Sequence, residues 1–120
     1  MSQMLSLTKY EHQVLPKLRD QLNHSESVED VKKFFVSIVQ EFISLATDGK
    51  VTADYVDITL MPEESPFYSV GTHLTESAEI KSLENSDFNV ILGRFAEQAT
   101  HRYMHLMKNN SKTNLKIKHH

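Results

Sequence analysis

The sequence has no cysteine and no tryptophan, and only three glycines and three prolines among its 120 residues. Without a thiol there is no cysteine nucleophile, thiolate zinc site, iron–sulfur cluster or disulfide, so a chain of this length must be held together by packing. The three glycines, Gly49, Gly71 and Gly93, stand far apart, which excludes a glycine-rich phosphate loop, a dinucleotide fingerprint and a nucleophile elbow. No uncharged apolar run is long enough to span a bilayer, and residues 1–7 lack both the basic start and the apolar stretch of a secretory leader. Together these absences predict a soluble cytoplasmic protein with no membrane partner. There is no internal repeat and no low-complexity segment.

What the chain does have is one strongly apolar helix, predicted over residues 28–46. At about 100° per residue, Val28, Val31, Phe34, Phe35, Val36, Ile38, Val39, Phe42, Ile43, Leu45 and Ala46 fill an arc of roughly 200°. A surface helix shows an apolar stripe little more than about 100° wide, so this one has to be covered on two sides. Ser27 offers an N-cap hydroxyl ahead of Glu29 and Asp30, whose charges suit the positive first turn. Thr47, Asp48 and Gly49 close the helix, with Gly49 placed to take the left-handed C′ conformation. Lys32 alone breaks the apolar arc, where its stem would lie along the core while the ammonium reaches water.

The flanking segments follow from changes of period. Leu7, Tyr10, Val14, Leu15, Leu18 and Leu22 share one face and predict a first helix over about 6–23, with Pro16 opposite the stripe as either a solvent-side kink or the first residue of a later start. The short polar link 23–26 predicts an antiparallel hairpin of the two helices. Over 55–61 the period becomes two, with Val56, Ile58 and Leu60 against Asp57 and Thr59, and over 67–72 it alternates again beyond a turn holding Pro62 and Pro66. A β-hairpin is the expectation; an all-helical course from Thr52 is the alternative. Residues 74–83 allow a short helix capped by Thr75. From 87 to 108, Phe88, Ile91, Leu92, Phe95, Ala96, Ala99, Tyr103, Leu106 and Met107 predict a long helix, ended by residues 109–111. The fold class is therefore α+β in the order α-α-β-β-α, with residues 1–110 as one domain and 111–120 as a basic C-terminal tail or short edge strand. His119 and His120 are either native or the remains of a tag.

Chemistry is sparse. Residues 48–52 resemble the middle of an EF-hand calcium loop, but the resemblance puts Ser44, Ala46 and Tyr55 where the loop needs its first acids and its closing glutamate, so a helix C-cap and turn is the reading. Glu97, His101 and His105 recur in steps of four, and a helix would stack them as a carboxylate and two imidazoles for a divalent metal. They lie opposite the apolar stripe beside Arg94 and Lys108, whose charges repel a cation, so a solvent-exposed polar face is the simpler account. The adjacent acids Glu63 and Glu64 diverge into water in a turn and make no acid–base pair. No cofactor and no catalytic residue is indicated.

Charge is distributed unevenly. Residues 1–53 sum to −1, residues 54–87 to −7 and residues 88–120 to +5. The basic end carries Arg94, Arg102, Lys108, Lys112, Lys116 and Lys118. Such a split suits either a polyanion-binding end or two opposed surfaces that meet within or between molecules. The expectation is a non-enzymatic regulatory or protein-interaction domain, most simply a homodimer. A metal binder using Glu97, His101 and His105, a nucleic-acid binder using the basic end, and an enzyme without a recognisable motif are the alternatives.

Overall fold

A computed structural model describes residues 6–118 of the chain, with side chains as far as Lys108; His119 and His120 lie outside the described residues. In chain order the elements are α1 (Thr8–Asn23), α2 (Val28–Ala46), a 3-10 turn (Tyr55–Asp57), β1 (Ile58–Leu60), β2 (Tyr68–Val70), α3 (Thr72–Thr75), α4 (Ala78–Lys81) and α5 (Phe88–Lys118). This is the α+β order expected, with two single-turn helices between the hairpin and α5.

α2 is the centre because its apolar arc leaves it no exposed apolar side to spare. Val31, Phe35, Val36, Ile38, Val39, Phe42 and Ile43 are all buried, and α1, α5 and β1 each pack on it. α1 contributes Val14, Leu18 and Leu22, while α5 contributes Phe88, Ile91, Leu92, Phe95, Ala96, Ala99 and Leu106. The Phe42 ring joins α2 to α5, stacked on Phe88 at 5.7 Å and edge-on to Phe95 at 5.4 Å between centroids. Such aromatic pairs add about 0.5–1.5 kcal/mol to the area they bury. The hairpin closes one end of this core: Ile58 and Leu60 point in and Thr59 points out, and antiparallel pairing sets Ile58 opposite Val70 and Leu60 opposite Tyr68.

The helix ends show how local chemistry is satisfied. Ser27 Oγ accepts from the Asp30 N–H at 3.1 Å, the N-cap expected. At the other end Asp48, not Gly49, is the left-handed C′ residue, at φ 55°, and its N–H bonds the Leu45 carbonyl. Gly49 follows at φ 77° and donates to Ser44 O at 2.7 Å, completing a Schellman motif one residue earlier than the glycine suggested. Aspartate tolerates this region better than most side chains.

Other expectations shift for identifiable reasons. Pro16 is interior to a continuous α1 and exposed, so the hydrogen bond it removes is lost on the solvent side. Residues 55–57 form a 3-10 turn ahead of the strand, which rotates Val56 out of the alternation and leaves it 84% exposed. Ser77 rather than Thr75 caps the short helix, accepting from the Ile80 N–H at 3.2 Å. α5 runs through residues 109–111 to Lys118, because asparagine and serine cost a helix only a few tenths of a kcal/mol, unlike glycine or proline. Residues 113–118 are therefore helical, not a third strand. Met107, assigned to the core face by the helical wheel, is exposed.

Truncation of Phe42 to alanine is expected to cost about 3–5 kcal/mol in a urea melt, since the ring is fully buried between two others. Val56→Ser, made in the 3-10 turn at a position that the alternation alone would have buried, is expected to change stability by no more than about 0.5 kcal/mol.

Candidate functional site

α5 is about 46 Å long against about 28 Å for α2, and its outer face carries most of the residues with chemistry. Glu97, His101 and His105 all lie exposed on it. Their surroundings separate them. His101 and His105 line a groove of about 460 Å³ between the C-terminal half of α1 and α5, together with Arg19, Leu22, Asn23, Gln98 and Arg102. Glu97 instead borders a shallow hollow of about 100 Å³ with Gln98 and His101. Among the described residues, no group of three or more histidine or acidic side chains is arranged to hold a metal. Two guanidinium groups in the larger groove oppose a divalent cation there.

Two of the six basic residues of the C-terminal third are engaged within the fold. Arg94 donates through one guanidinium nitrogen to both carboxylate oxygens of Glu11, at 2.9 and 3.1 Å, and the Glu11 side chain is only 4% exposed. Arg102 donates from Nε to Ser25 Oγ at 3.1 Å and from a terminal nitrogen to Ser25 O at 2.9 Å. Ser25 is buried in the α1–α2 link, and its hydroxyl donates onward to Leu22 O at 2.6 Å. A third tie runs the other way: the Asp87 carboxylate, just ahead of α5, accepts from the Leu7 N–H at 2.8 Å and from the Thr8 hydroxyl at 3.2 Å. An acid is thereby set at the positive end of α1, whose own N-cap residue is a leucine without a capping group. The α1 wheel held one signal of these ties, since Glu11 falls within the apolar stripe between Leu18 and Leu22, but the partners lie too far along the chain to be read from periodicity.

The remaining candidates are simpler. Glu63 and Glu64 are exposed in the hairpin turn. Lys32 is exposed with its ammonium 5.7 Å from the centre of the Tyr103 ring, the extended disposition expected of it. Asp57 is a structural joint: its carboxylate accepts from the Asp54 N–H at 3.1 Å and lies 3.6 Å from His73 Nδ1, and its carbonyl accepts from the Gly71 N–H at 2.7 Å. A Cβ on Gly71 would meet Asp57 Oδ1 at 3.3 Å, so the close approach favours glycine there. Tyr68 donates to Asn89 O at 3.3 Å, and burial pushes its phenol above the usual value of 10.0. No helix among the described residues is long and apolar enough to cross a membrane.

Compared with protein-family models, curated proteins and solved structures, the chain matches none.

Arg94→Ala would leave the Glu11 carboxylate buried beneath α5 without its partner, and is expected to cost about 2–3 kcal/mol in a urea melt. The double variant Glu11→Leu with Arg94→Ala should recover much of that loss, since it removes the stranded charge; a double-variant loss equal to the sum of the Glu11→Leu and Arg94→Ala losses would show that the pair is not coupled. Calorimetric titration of zinc into protein ending at Lys118 should show no binding tighter than about 1 μM, whereas a tight one-to-one isotherm abolished by His101→Ala would establish a metal centre.

Proposed function

We propose that this chain is a small cytoplasmic, non-enzymatic protein-interaction or regulatory domain that acts as a homodimer. The observation that carries the reading is the charge split, −7 over residues 54–87 against +5 over residues 88–120, which no ion pair among the described residues bridges. Among the described residues, no lysine or arginine of α5 is ion-paired with an acid of residues 54–87; Arg94 goes to Glu11 and Arg102 to Ser25. Among the residues whose side chains are described, the acidic segment and the basic helix are therefore not paired with each other.

Each surface also carries apolar side chains in water. Tyr55 and Val56 stand out from the acidic segment, and Met104 and Met107 from α5. An interface with aromatic, aliphatic and methionine contacts at its centre and charges at its rim has the composition of a stable protein contact. In a two-fold dimer the acidic segment of each copy would meet the basic helix of the other, so that one pair of patches is used twice. The sparseness of catalytic groups supports an interaction role over an enzymatic one.

Light scattering at low and high salt tests this. A dimer whose association weakens with salt, while the apolar contact preserves part of it, is the expected result. Val56→Lys should shift the population toward monomer by placing a like charge against the partner's basic helix at the centre of the contact. A monomer at all salt concentrations that shifts DNA or RNA in a mobility assay, and loses that affinity when Lys112, Lys116 and Lys118 become glutamine, would replace this reading with a nucleic-acid binder.

A further inference from the structure

The groove between α1 and α5 has a composition unlike the rest of the surface. Of its seven lining residues only Leu22 is apolar; the others are Arg19 and Asn23 from α1 and Gln98, His101, Arg102 and His105 from α5. No carboxylate lines it, in a chain whose net charge is −3. Its volume of about 460 Å³ falls within the roughly 300–1,000 Å³ typical of small-molecule sites. We infer that this groove is a binding site for a small phosphorylated molecule, recognised through a phosphate monoester dianion.

Arg102 supplies the fixed part of the site. Its guanidinium is held by the two hydrogen bonds to Ser25, which use two of its five N–H donors and leave three for a ligand in a set orientation. Because those contacts are already made in the protein alone, little side-chain freedom is lost when an oxyanion arrives. Arg19 is exposed on the facing helix and closes on the ligand from the other side. Planar guanidinium forks match phosphate oxygens two at a time, and such charge-assisted hydrogen bonds are about twice as strong as neutral ones. Asn23 and Gln98 add neutral amide donors, and His101 adds a ring N–H.

Two features nearby oppose an anion, and both are weakened by local contacts. The groove lies near the carbonyl end of α1, where the helix dipole is negative. The last acceptors there are occupied: Asp20 O and Gln21 O take the His24 N–H, Leu22 O takes the Ser25 N–H and hydroxyl, and Ser25 O takes Arg102. Of the neighbouring acids, Asp20 lies 3.5 Å from His24 Nδ1, and Glu97 borders the separate hollow beyond Gln98. This site does not depend on the dimer proposed above.

The test is titration of the 15N-labelled full chain, at fixed ionic strength, with inorganic phosphate, phosphoserine and adenosine monophosphate, with chloride as the control anion. Saturable shifts confined to residues 19–25 and 98–105 support the site. Phosphoserine or adenosine monophosphate binding more tightly than inorganic phosphate supports a monoester and tells whether an amino acid or a nucleoside carries it, whereas inorganic phosphate binding tightest overturns the monoester. Arg19→Gln and His101→Gln, both at exposed positions, should fold normally and weaken binding, the arginine variant by about tenfold. Lys9→Gln, at the far end of α1, should leave affinity unchanged. The inference is overturned if chloride gives the same shifts, if the shifts map to Lys108 and beyond instead, if Lys9→Gln weakens binding as much as Arg19→Gln, or if no ligand saturates by about 10 mM, where affinity falls below about 3 kcal/mol.

Discussion

Burial of α2 on two sides is the constraint from which the rest of this structure follows. A helix with an apolar arc of roughly 200° cannot rest on one neighbour, so α1 and α5 must both pack on it and the hairpin must close what they leave open. Phe42 is the residue where this is most concrete, with one ring of α5 stacked on it and another edge-on. Once α1 and α5 both flank α2, they also meet each other along a seam. That seam gathers the polar chemistry of the molecule.

Along the seam, each charged side chain satisfies a need created by the packing. The N-terminus of α1 has no cap of its own and takes the Asp87 carboxylate. Glu11, covered by α5, takes Arg94; the buried turn at Ser25 takes Arg102. An ion pair with its carboxylate buried and its guanidinium half exposed adds little net stability over an apolar pair, but it penalises any other register of α1 on α5, because a shift would strand the Glu11 charge. The same crossing leaves the arginine-lined groove open near its other end. Among the described residues, Glu63, Glu64, Glu76 and Glu84 take no such part and are exposed on the surface.

The elements with one dominant period were legible in the sequence. α2, α1, the body of α5 and the hairpin all showed their buried faces as repeats of 3.6 or 2, and Ser27 marked its helix start by a hydroxyl at the right offset. Boundaries were less legible where two local solutions are nearly equal in energy. Residues 109–111 have the composition of a stop but no glycine or proline to enforce one, and Asp48 competes closely with Gly49 for the left-handed position. Val56 fits the alternation of β1 and is yet exposed, because a single 3-10 turn ahead of the strand changes its direction.

Glu97, His101 and His105 form one set on the helical wheel, but in space His101 and His105 share the groove with α1 while Glu97 meets only His101, in the smaller hollow, since the wheel knows only the helix they stand on. Arg19 and Arg102 are 83 positions apart in the chain and gave no joint signal, although they line one groove. The amino-acid sequence by itself determined which faces must be buried, because hydrophobic periodicity is a local property that each helix or strand carries before it meets another. The tertiary structure alone decided which charges are paired, which are left in water and which converge on the groove, because a charge acts through its distances to other charges, and those distances exist only once α1 and α5 are packed on α2.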